Sequence, residues 1–198
     1  MRDFIARKRI HISLGVTIAL VAVLFMSKPT ILGGSVLSFA MEHVGFLLVV
    51  VGAMGRVWCS MHISGRKGST LVTTGPYAMH RNPLYFYSFV GVVGFGIASR
   101  NLPFMGLVAA VFILMYPIIV RSEEEALLET HGEDFRAYCE TTPRWIPRFR
   151  KVEQVNEQTL HVRKMERSML DAAVFFLAYL LADLVFELHQ LHLLPELW

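Results

Sequence analysis

Cysteine is nearly absent from this chain: there are two in 198 residues, Cys59 and Cys139. They support neither a disulfide framework nor a paired-cysteine metal site. Cys59 lies in an apolar run and reads as a small buried hydrophobe, while Cys139 follows Tyr138 in a polar segment. Charge is scarce too. Only 18% of residues are charged against 54% hydrophobic, which excludes a disordered chain and argues against an ordinary soluble domain. The formal net charge is +3, too small to argue for a nucleic-acid partner, and none is expected. Repeats and low-complexity tracts are missing. His189 and His192 stand at ligand-like spacing, but neither Cys nor a third His lies near them in sequence, so no metal is expected.

What is present is apolar residues in long blocks, with a mean hydropathy of +0.47. That is the composition of an integral membrane protein. A first helix is expected over about 10–27, ended by Lys28-Pro29 and Gly33-Gly34, and a second over about 36–60. No A-x-A-like cleavage site follows the first block, so a retained helix is expected rather than a signal peptide. In the second helix Gly45, Gly52 and Gly55 offer close-packing points. Segments 85–99 and 102–120, split by "RNLP", should form a tight helical hairpin whose arms approach at Gly91, Gly94 and Gly96. The first arm reaches only about 22 Å, short of a hydrocarbon core of roughly 30 Å.

Beyond Arg121 the chain turns polar. "EEEALLETHGEDFRAYCETT" reads as a new helix with acidic residues in its first turn, and "PRWIPRFR" breaks it. A last apolar block at 169–188 is interrupted by Asp171, Asp183 and Glu187, and suits a span or an interfacial helix equally. The expected fold class is all-α, a polytopic integral membrane protein with four to five transmembrane helices including a central helical hairpin. Three parts are expected: N-terminal helices in 1–60, a core in 61–150, and a linker with a C-terminal helix in 151–198.

With 1–9, 56–84 and 121–168 on one side, seventeen of the nineteen Lys and Arg residues share it, leaving Lys28 and Arg100 opposite. The positive-inside rule makes the rich side cytoplasmic, together with the N-terminus. "TTGPYAMHRNPLY" at 73–85 and the Glu-rich segment then face one compartment. A hairpin brings its ends together, so Arg81 and Asn82, with Tyr77 and Tyr85, should meet Glu123 and Glu124 around one small volume. Such a set can grip a ligand bearing a carboxylate, an ammonium group and hydroxyls.

The pattern resembles the isoprenylcysteine carboxyl methyltransferase family, to which phospholipid N-methyltransferases are related. It is carried by Gly75, Pro76, Tyr77, Arg81, Asn82, Pro83, Tyr85, then Glu123, Glu124, Gly132, Tyr138, Pro143 and Pro147. Asn82 stands where many relatives have His, Tyr87 replaces a common Gly, and His131 replaces a Phe. The resemblance implies a membrane methyltransferase whose cofactor is S-adenosylmethionine. That cofactor would be held by Gly75, Pro76, Tyr77, His80, Arg81, Asn82, Pro83, Tyr85, Glu123 and Glu124. A lipophilic methyl acceptor would enter from the membrane lipids. A prenylated cysteine carboxylate is ionised at neutral pH and needs no base, only a cation to position it, for which Arg81 and Arg144 are candidates. An amine acceptor would call on His80 or the Glu pair; O-, N- and S-methylation all stay open. A sterol-type reductase using NADPH shares part of the Arg-Pro-Tyr stretch but continues differently after the tyrosine. A non-enzymatic membrane protein is the other alternative.

Overall fold

The computed structural model describes residues 15–64, 70–148 and 161–194. The basic N-terminal cluster, the start of the first helix and the linker over 149–160 lie outside the described residues. Among those described the chain is all-helical: α1 (Gly15–Met26), α2 (Val36–Ile63), α3 (Pro76–Met79), α4 (Pro83–Ala98), α5 (Leu102–Thr141) and α6 (Val162–Gln190). α2, α5 and α6 are long and apolar enough to cross a membrane; α1 and α4 are shorter apolar helices. The protein is a polytopic integral membrane protein. The 169–188 block, readable as a span or an interfacial helix, belongs to α6 and has the length and apolarity of a span.

Glycine sets the tightest contact in the bundle. A methyl group on Gly52 of α2 would lie 2.6 Å from the backbone of Gly91 in α4, and one on Gly45 would lie 2.8 Å from Gly94 and Ala98. Both separations are far inside van der Waals contact, so α2 and α4 run backbone against backbone, antiparallel, only because these side chains are missing. The hairpin's own arms are not the closest pair, contrary to expectation. Gly94 faces α2 and Gly91 meets Phe175 of α6, leaving Gly96, against Met105, to face α5. Three glycines at close spacing on a 3.6-residue helix point to different neighbours.

The Glu-rich segment is not a new helix. It continues the second hairpin arm, giving α5 its 40 residues. Between Pro117 and Gly132 nothing breaks the helix, so Glu123–Glu125 sit in its interior and gain nothing from a helix N-terminus. Gly132, with φ 52° and ψ −121°, supplies a kink; an L side chain is strained at such a φ.

The α4–α5 turn is tied to the end of α1. Asn101 accepts from the Phe104 amide (2.9 Å), capping α5, and donates to Ser27 Oγ (2.9 Å) and the Lys28 carbonyl (2.8 Å). Arg100 adopts φ 51° there, and its carbonyl accepts from the Thr30 and Ile31 amides. Its side chain, expected in an outer loop, is 2% exposed. It pairs with Glu42 of α2 (2.8 Å) and Asp183 of α6 (3.0 Å) and lies 4.0 Å over the Phe186 ring. One buried cation thus pins three helices.

Gly52→Leu forces the α2–α4 seam apart. Overpacking of this kind costs about 1–3 kcal/mol, and thermal unfolding in detergent micelles should show a lower midpoint than Gly106→Leu, whose position has open space around it.

Candidate functional site

The 73–85 stretch is shaped by its glycine and prolines. Gly75 has φ 61° and ψ −133°, and a Cβ there would fall 2.2 Å from the His62 ring, so only glycine fits. Pro76 and Pro83 begin α3 and α4, where a missing amide hydrogen costs no helical bond. Asn82 precedes α4 as its N-cap residue, yet its side chain makes no capping bond. It is committed elsewhere.

That commitment is to Glu124. Asn82 Nδ2 donates to Glu124 Oε1 at 3.0 Å, and Arg144 Nη2 donates to Oε2 at 2.6 Å. Arg81 Nη1 lies 3.6 Å from the same Oε2 and donates to Cys139 Sγ at 2.8 Å. Both carboxylate oxygens are engaged, and the residue is 7% exposed. A buried carboxylate is tolerable when cations and donors surround it, and here an amide and two guanidiniums do.

The tail after α5 closes over the motif. The Arg81 amide donates to the Pro143 carbonyl (2.9 Å) and the Arg148 amide to the Met79 carbonyl (3.0 Å). Tyr138 donates its hydroxyl proton to the Tyr77 carbonyl at 2.6 Å. Burial pushes the phenol of Tyr77 above its ordinary value, so it stays protonated at neutral pH.

Beside Glu124 opens a cavity of about 450 Å³. Arg81, Arg144 and Cys139 line it with Glu124 and Glu125. Arg121 and Arg136 add positive charge, Glu140 negative charge, and Leu128 and Phe135 an apolar wall. Of the residues singled out in the sequence, Arg81, Glu124 and Arg144 therefore reach the cavity. Gly75, Pro76, Tyr77, His80, Asn82, Pro83 and Tyr85 form its support and do not line it. Tyr85 stands edge-on to Tyr116 at 4.6 Å. Glu123 is separated from Glu124 by one helical step and does not line the cavity either.

Several lining residues were not singled out: Arg121, Glu125, Leu128, Phe135, Arg136, Cys139 and Glu140. A signal existed, because 121, 124–125 and 128 recur at one helical face before the Gly132 kink, as do 135–136 and 139–140 after it, and it needed the glutamates to be read as a continuation of the hairpin arm.

His80 is 2% exposed, packs edge-on against Phe86 and leaves Nδ1 without a partner. Burial pulls its pKa down to about 4.

A membrane-spanning helical bundle with an ion-lined cavity at one end of its hairpin is the class that fold and site define. The model of the family described as phospholipid methyltransferase matches residues 30–134, and the chain belongs to that family of membrane methyltransferases. The nickel-cobalt-cadmium resistance protein NccN of Alcaligenes xylosoxydans xylosoxydans is 36% identical over 173 residues, covering 87% of this chain and 80% of the relative. The cobalt-zinc-cadmium resistance protein CzcN of Cupriavidus metallidurans is 34% identical over 174 residues, with 87% and 79% covered. No solved structure matches the chain. Among the described residues, no three His, Cys, Asp or Glu side chains group as metal ligands would.

His80 gives a pH signature. Its folded pKa, about 4, lies below the ordinary 6.5, so between these values the unfolded chain binds the extra proton. Its contribution to stability is therefore complete above pH 6.5 and declines as pH falls toward 4. His80→Phe should flatten that decline, measured as the difference in thermal midpoint between pH 7 and pH 4.5.

Proposed function

We propose that this protein is an S-adenosylmethionine-dependent membrane methyltransferase acting on a lipophilic acceptor, with an isoprenylcysteine-like carboxylate as the acceptor group. The observation that carries the reading is the convergence of Arg81, Asn82 and Arg144 on Glu124 at the wall of a 450 Å³ cavity, in a chain of this family. The volume falls in the range of small-molecule and cofactor sites. The donor set also suits the group: Arg81 Nε and Arg144 Nε are buried without partners, and cations and carboxylates share the lining. Arg81 and Arg144 would hold its carboxylate, and Glu124 or Glu125 its ammonium group.

When bound, S-adenosylmethionine supplies a methyl group on a sulfonium centre, open to in-line displacement. The protein's part is to align an acceptor and keep water away. An ionised carboxylate needs no base. An amine acceptor would, and of the bases named for it His80 is buried and outside the lining, Glu123 is outside the lining, and Glu124 is already engaged by Asn82, Arg81 and Arg144; this favours O-methylation. In the favoured topology the cavity faces the cytoplasm, where a water-soluble methyl donor is available. The relatives' names place them in metal resistance, and on this reading the present chain would serve such a role through the acceptor it methylates.

Isothermal titration of S-adenosylmethionine into the protein in detergent tests the donor site. Arg81→Ala and Glu124→Ala should each weaken binding by roughly 2–5 kcal/mol, the cost of stranding a charge partner. Wild-type affinity in both variants would refute the assignment. Membrane extract incubated with methyl-labelled donor then identifies the acceptor.

A further inference from the structure

A second cluster lies on the other face of α5. Arg56 interrupts α2 seven residues before its end and reaches into the space between α4 and α6. Its Nη1 donates to Ser88 Oγ of α4. Its guanidinium stands 5.5 Å over the Phe175 ring of α6. Tyr116 of α5 brings its phenol within polar reach of Ser88, and Glu123 lies two turns further along α5.

The charge of Arg56 is poorly matched. Its nearest carboxylate, Asp171, is 3.6 Å away and its side chain is 65% exposed, while that of Arg56 is 18% exposed. Nε is buried with no partner. Arg100 offers the internal comparison: its Nε and Nη1 are likewise without partners, but two carboxylates at 2.8 and 3.0 Å neutralise it, and neither is as exposed as Asp171. A guanidinium in a membrane bundle whose one carboxylate is loose and mostly exposed is unusual for a purely structural cation, because under-neutralised charge there is costly.

Arg81 and Arg144, the cations first considered for the acceptor, share the buried Glu124. Arg56 has only the exposed Asp171 at 3.6 Å. We infer that Arg56, Ser88 and Tyr116 form a binding site for the oxyanion head, carboxylate or phosphate, of an amphiphile whose tail lies along the apolar helices. Asp171 is the stand-in counter-ion that such a head displaces. Under the methyltransferase reading, on which this assignment rests, the amphiphile is the methyl acceptor. Its head is held on the Glu123 side of α5, and the donor on the Glu124 side. The anion contacts two hydroxyls and a fork-shaped cation, a donor set that favours an oxyanion over an amine or an alcohol.

The test uses the full-length protein in dodecyl maltoside, titrated with palmitate, hexadecyl phosphate, hexadecanol and hexadecylamine. Palmitate or hexadecyl phosphate should bind at least tenfold more tightly than hexadecanol or hexadecylamine, and which anion wins separates carboxylate from phosphate. Arg56→Gln should weaken the preferred anion at least tenfold, with Arg56→Lys in between. Asp171→Asn should tighten it about threefold, because the competing carboxylate is gone; a cation that only held helices together would not respond in that way. S-adenosylmethionine affinity should stay within twofold in all three variants. If Arg56→Gln does not fold, Arg56→Lys and Asp171→Asn still decide. Equal binding of alcohol and anion, or anion binding unchanged in the Arg56 and Asp171 variants, overturns the site. So does loss of anion binding on Arg81→Ala alone. Arg56-dependent anion binding without any S-adenosylmethionine binding would keep this site and overturn the methyltransfer reading instead.

Discussion

One carboxylate organises the polar end of this molecule. Glu124 accepts from Asn82 at the start of α4 and from Arg144 in the tail after α5, and it draws in Arg81. Three chain segments that are remote in sequence are fixed by a single group on α5. The arrangement depends on burial. In water, pairs of this kind contribute little, whereas at 7% exposure the same contacts are the alternative to a stranded charge. Removing the acid would leave two guanidiniums facing one another, so the cavity's shape and its electrostatics rest on the same atom pair.

That carboxylate can meet its partners because the hairpin is short and its first arm is held in place from behind. α4 has little of its own to anchor it: 16 residues, almost all apolar. Its position comes from the glycine seam with α2, where backbones touch and dispersion contacts are dense. The opposite end is secured by Asn101 and Arg100, which tie the turn to α1, α2 and α6. The polar end can therefore be built from side chains at fixed distances, as a site that aligns reactants requires.

Much of this was readable in the residues. The meeting of Arg81 and Asn82 with the Glu pair follows from a three-residue turn between two apolar arms, because arms of similar length return to the same surface. Which acid of the pair turns inward was not readable. Adjacent helical residues differ by about 100° in direction, and the facing direction depends on how α5 rolls against α4. The continuity of α5 was missed because a run of glutamates resembles a helix start, although no proline or glycine separates them from the preceding arm. Counting basic residues by side treated Arg56 and Arg100 as loop charges. A count carries no information about the face of a helix, and both point into the bundle.

The spacing of those two arginines bears on how the protein sits in lipid. On α2, Glu42, the partner of Arg100, and Arg56 are fourteen residues apart; on α6, Asp183 and Asp171 are twelve apart. At 1.5 Å per residue the two polar levels are separated by about 18–21 Å, less than a hydrocarbon core of roughly 30 Å. Unless the bilayer thins around the bundle, at least one level must lie inside the hydrocarbon. The Arg100 level is fit for immersion, with its guanidinium sealed, paired with two acids and covered by Phe186. The Arg56 level is less so, since its one acid is 3.6 Å away and mostly exposed. The bundle is therefore best accommodated displaced along its axis, with the Arg100 end sunk into lipid and the Arg56 end raised toward the headgroups. That placement would leave the cavity at Glu124 open to water and the flank near Arg56 within reach of lipid.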